Sequence, residues 1–148
     1  MSDIERLVQG LSDKDDQFAY QCLKQLQAES ESSDAVYPYF DRLAAMLDDA
    51  NSYIRTRGLL LIAANAQWDQ DYKIDEIIDR YLRHIMDDKP ITARQVIKAL
   101  PAIARHKPEL RDDICAALRK ANPDIYKSTM QPLVARDIAE ALNAIEGL

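Results

Sequence analysis

Two aspartates, each six residues ahead of an arginine, constrain this chain more than any other feature. Asp49 precedes Arg55 in DDANSYIRTRGLLLIAANAQ, and Asp88 precedes Arg94 in DDKPITARQVIKALPAIARH. The two segments superpose with a shift of 39 residues, within the range where two-helix units recur along a chain. The spacing sets an Asp in a tight interhelical turn and an Arg near the start of the following helix.

Apolar periodicity extends that unit over the whole sequence. Ile4, Leu7, Val8 and Leu11, then Phe18, Cys22, Leu23 and Leu26, recur at intervals of three and four, the period of a helix with one buried face. The pattern predicts eight helical segments in four pairs, at 2–29, 34–66, 72–106 and 108–146, in a single domain. The polar stretch Ser30-Glu31-Ser32-Ser33 should end the first pair, with Asp34 capping the next helix. Three glycines in 148 residues favour helix over strand, and Pro101 inside KALPAIAR predicts a kink.

The second helices align on Tyr20, Arg55, Arg94 and Arg136, with Leu26, Leu61, Leu100 and Leu142 at the matching core position. This pattern resembles the HEAT repeat, and stretches such as NSYIRTRGLLLIAANAQWD and KPITARQVIKALPAIA are similar to small bacterial HEAT-like proteins. The resemblance implies an all-α, right-handed α-solenoid of about four helical pairs, armadillo-like in architecture. It also implies that Asp49–Arg55 and Asp88–Arg94 form a structural ladder tying adjacent repeats. The end repeats depart from the signature, with Tyr20 in place of Arg and Met130 six residues before Arg136, as capping repeats with one face in water do.

Catalytic and metal-binding patterns are poor. His84 and His106 have no His or Cys at ligand spacing. The run Asp69, Asp71, Asp75 and Glu76 has Lys73 and Ile74 where a calcium loop needs a ligand and a turn glycine. There is no glycine-rich phosphate loop and no paired Cys/His nucleophile. Neither an enzyme activity nor a cofactor is expected. Cys22 and Cys115 lie far apart in apolar patterns and read as reduced core residues, and with no secretory leader or membrane span they point to a cytoplasmic protein.

Net charge is −6, which opposes binding to a polyanion. The second helices are locally basic, however, carrying Arg57 and Lys98 beside the ladder arginines. In HEAT-like solenoids these helices line the concave surface. The candidate partner-binding residues are therefore Tyr53, Arg57, Leu59, Trp68, Gln95 and Lys98, a basic strip with aromatic anchors. They point to a non-catalytic module binding a protein or peptide, an acidic one being favoured. The alternative is a relative of HEAT-like DNA glycosylases that excise alkylated bases, although their catalytic residues find no match by position.

Overall fold

A computed structural model describes residues 2–148. Among the described residues the chain forms eight α-helices and no strand: α1 (Asp3–Gly10), α2 (Asp16–Ser32), α3 (Phe40–Ala45), α4 (Ser52–Ala64), α5 (Lys73–Arg83), α6 (Pro90–His106), α7 (Arg111–Lys120) and α8 (Gln131–Glu146). The first helix of each later pair is shorter than the periodicity suggests. Single 3-10 turns take up the difference at 37–39, 46–48, 84–86 and 108–110. Two expectations are corrected here. α2 runs on through Ser30 to Ser32, because the Ser30 hydroxyl donates to the Leu26 carbonyl inside the helix. Asp34 does not start α3, which follows a 3-10 turn opened by Pro38. α6 continues through Pro101. Among the described residues no helix is long and apolar enough to cross a membrane.

The chain divides into two compact units, residues 1–74 and 75–148. In the first, α2 and α4 run parallel. Arg57 on α4 donates to the Leu11 carbonyl at 2.9 Å and pairs with Asp16 at the start of α2. At the other end, Asn65 donates to Ser30 Oγ, and Gln67 Nε2 and Trp68 Nε1 both donate to the Ser30 carbonyl. Start meets start and end meets end. Beneath these ties Leu11, Leu26, Leu43, Leu59 and Leu61 are fully enclosed. Gly58 lets α3 approach α4: a Cβ there would lie 2.9 Å from the Leu43 carbonyl oxygen.

In the second unit α6 and α8 are joined by Arg94 Nε and Asp137 Oδ2 at 2.6 Å. Asp137 is almost wholly buried, so removing that partner leaves a buried carboxylate without a counter-charge. Tyr126, just before α8, donates to the Asp87 carbonyl just before α6. Burial, followed by the carboxylates of Asp87 and Asp88, pushes the Tyr126 phenol up to about 12.

One turn recurs. Asp13, Asp49 and Asp87 each accept, through the side chain, the backbone N–H two residues on, at 2.8–2.9 Å. Each lies three residues before the first residue of a second helix. Two residues before each comes an enclosed apolar side chain, Leu11, Leu47 or Ile85. A short carboxylate that satisfies its own chain stiffens the turn before any tertiary contact forms.

Candidate functional site

Of the two ladder arginines, Arg55 bonds Asp49 through the backbone, and Arg94 reaches a carboxylate outside its own turn. The Arg55 guanidinium donates to the carbonyls of Asp49 and Ala50 at 3.0 and 3.1 Å, closing the α3–α4 turn through backbone. The carboxylate that Arg94 engages is that of Asp137, forty-three residues along the chain, not Asp88. Arg94 therefore links α6 to α8 rather than bracing its own turn, and the turn aspartate is Asp87. This pairing favours the charged form of Arg94 and raises its pKa.

The candidate partner-binding residues fare unequally. Leu59 is fully buried, and Arg57 is buried with its donors spent on Leu11 and Asp16. The apolar run Gly58–Ala64 has no polar face, so α4 packs on several sides. That removes both residues from any exposed surface. Trp68 is half-buried and committed to the Ser30 carbonyl. Tyr53, Gln95 and Lys98 are exposed.

Titratable groups elsewhere are mostly engaged in structural roles. Asp69, which is buried, accepts from the amides of Lys73 and Ile74 and from the Tyr37 hydroxyl. It caps α5, and burial together with that bond raises the Tyr37 pKa. Lys107 is buried at the end of α6, with Asp75 at 2.8 Å and Glu109 at 3.1 Å. Burial pushes the Glu109 carboxyl upward, but its hydrogen bonds and Lys107 outweigh that and hold it low. His84 Nδ1 meets Asp87 Oδ2 at 2.7 Å. Cys22 and Cys115 are free thiols in the core, and burial raises the Cys22 pKa. Among the described residues no group of three His, Cys, Asp or Glu side chains is arranged to hold a metal ion.

The second unit does carry a concave site, which the sequence did not single out. An open groove of about 450 Å³ runs between α5 and α7. Leu82, Ile85, Met86, Ala116, Ala117 and Ala121 give it an apolar floor, and Asp79, Arg83, Asp113 and Lys120 line its rim. The two helices are parallel. Lys107 joins Asp75 near the start of α5 to Glu109 just ahead of α7, and the Asn122 amide meets Met86 Sδ at their far ends. Along the groove Asp79 therefore precedes Arg83 by one turn of α5, and Asp113 precedes Lys120 by two turns of α7. None of these four makes an ion pair among the described residues, whereas Arg57, Arg94 and Lys107 all do.

No family model and no curated protein matches this chain. A solved structure of an engineered protein from the Northeast Structural Genomics Consortium is similar to it, with a TM-score of 0.60 and 21% sequence identity, over 99% of this chain and 68% of that one. At such identity the likeness is one of fold.

Proposed function

We propose that the chain is a HEAT-like α-solenoid acting as a non-catalytic protein-interaction module, which takes a segment of a protein partner into the α5–α7 groove. The solenoid reading is supported by the recurring turn at Asp13, Asp49 and Asp87 and by the parallel second helices within each unit. The observation that carries the function is the contrast in charge use: buried cations are consumed by internal ties, and four charges around an apolar groove are not. Free charges around an apolar floor suit a partner surface with a dry centre and polar rim. Carboxylates on that rim oppose a nucleic-acid backbone.

The test is affinity capture with mass spectrometry, comparing wild type with Ala116→Trp, which fills the groove from an exposed position, and with Tyr53→Ser/Lys98→Glu. Circular dichroism establishes that each variant is folded. Loss of partners with Ala116→Trp alone is the expected result. Partners lost only with Tyr53→Ser/Lys98→Glu would return the site to the second helices and end the groove reading.

A further inference from the structure

We infer that Met86 is an oxidation-responsive clasp at the α5–α7 groove, whose thioether takes up a single oxygen on the side facing the groove. The inference rests on the groove being the partner site and adds a reversible chemical signal that shuts it.

Position singles out this sulfur. Met86 ends the 3-10 turn that follows α5, and its Sδ accepts the backbone N–H of Asn122, just beyond α7, at 3.3 Å. The same side chain lines the groove, where its companions are Asp, Leu, Ile, Arg, Ala and Lys. None of those is oxidised by peroxide as a thioether is. The other sulfurs differ in setting. Cys115 is a buried free thiol, and Met46 in the first unit is buried. Met130 is half-buried like Met86, but among the described residues no donor meets its sulfur.

The Asn122 contact decides where oxygen arrives. A thioether sulfur is a weak acceptor with two lone pairs, and one of them is turned to the Asn122 N–H. The other attacks hydrogen peroxide: an S–O bond forms, the O–O bond breaks, and the hydroxide released removes the remaining proton and leaves as water. Sulfur is oxidised by two electrons and the peroxide is reduced. With one face held by Asn122, the oxygen is set on the other, the one open to the groove. A flexible apolar group becomes a polar, chiral one in a floor suited to a partner's dry centre, and burying it there without a donor opposes binding. Two thiols return the sulfoxide to the thioether, yielding a disulfide and water, so the change is reversible.

The experiment treats the full chain with hydrogen peroxide and follows each methionine by peptide mass mapping. Epimer-specific methionine sulfoxide reductases report the configuration at each sulfur. Met86 should be oxidised ahead of Met46, and its sulfoxide should yield to one of the two reductases almost alone, whereas that of Met130 yields to both. A mixture of epimers at Met86, or oxidation of Met46 first, overturns the clasp. Affinity capture then compares wild type before oxidation, after it and after enzymatic reduction, beside Met86→Leu treated in the same way. Oxidation should cut wild-type recovery of the partners that Ala116→Trp loses by about tenfold, and reduction should restore it. Met86→Leu should keep those partners throughout; if it loses them on oxidation, the effect lies elsewhere and the switch is wrong. The wild-type cycle needs no variant, so a poorly folded Met86→Leu leaves the comparison standing. Partners lost by Ala116→Trp but kept by fully oxidised wild type end the switch and leave the groove reading intact. If Ala116→Trp loses nothing, both fall.

Discussion

The two units treat the seam between their first helices differently. In residues 1–74 the seam is closed by polar contacts: Arg42 on α3 reaches Glu5 on α1 at 3.9 Å, and the Ser2 and Tyr39 hydroxyls meet at 3.4 Å. Asp41 has Lys73 at 3.8 Å, and that lysine also lies over the rings of Tyr37 and Phe40. In residues 75–148 the corresponding seam is the open groove, with its four charges unspent. Surface ion pairs contribute little stability, about 0–1 kcal/mol each. The difference therefore lies less in stability than in what remains available to another molecule. A seam that satisfies its own charges offers a partner nothing it would not have to break.

The second helices invert the contrast. The first unit joins α2 to α4 largely through neutral groups and backbone carbonyls, and the second joins α6 to α8 through a buried charge. Replacing Arg94 by Ala strands the Asp137 carboxylate and should cost about 3 kcal/mol or more. Arg57→Ala leaves the Leu11 carbonyl without that donor and frees an exposed Asp16, at about 1–2 kcal/mol. Urea unfolding of the two variants measures both. A double-mutant cycle should show coupling between Arg94 and Asp137 and none between Arg94 and Asp88. Equal losses for Arg57→Ala and Arg94→Ala would erase the distinction.

A smaller effect tests how closely helices approach. Gly58→Ala improves helix propensity by about 1 kcal/mol, yet its methyl meets the Leu43 carbonyl oxygen and Met46 Cβ at 2.9 Å. Backbone cannot yield as a side-chain tip can, so a net loss of about 1–2 kcal/mol is expected in thermal or urea melts. Thirty-nine residues on, α6 carries the enclosed Ile97 instead, so the second unit has no such tight spot. A stabilised Gly58→Ala variant would show that α3 relaxes away from α4.

A further test concerns pH. The Tyr126 phenol has a folded-state pKa of about 12 against an ordinary 10.0. Its contribution to stability is then fully present below about pH 10 and lost as pH rises through about 12. Tyr126→Phe should flatten the alkaline fall in melting temperature of the second unit, at the expense of the bond to the Asp87 carbonyl. An unchanged slope would mean that phenol is not what titrates.

Helix content and pairing were legible in the sequence because three-and-four apolar spacing survives without tertiary knowledge. Leu26, Leu61 and Leu100 are fully buried as the alignment requires, whereas Leu142 is only half-buried and Ala141 beside it takes the buried place. The turn was legible too, in the repeated apolar-x-Asp of Leu11-Ser12-Asp13, Leu47-Asp48-Asp49 and Ile85-Met86-Asp87, but it was masked by the adjacent Asp88. That residue aligns with Asp49 when arginines rather than apolar residues set the register. Leu59 and Arg57 were misplaced because a helix apolar on nearly every side gives no facing signal. An arginine's reach of several ångströms hides its partner: nothing in the sequence near Arg94 points to Asp137. The groove was illegible for a related reason, since α5 and α7 meet across an intervening helix and their facing residues share no local pattern.

The Asp13, Asp49 and Asp87 turns have a consequence for how such a chain can change in length. Each carries its instructions within about five residues, so the helix after it starts from local information. The intervals between these aspartates, 36 and 38 residues, already differ, and since the spacing from apolar residue to Asp to helix start is constant, the extra residues fall outside the turns. Insertions between a second helix and the next first helix leave each turn's geometry untouched, whereas a single residue added between Leu47 and Asp49 would rotate the whole of α4 away from its seat. The chain thus separates places that tolerate evolutionary drift from places that keep count.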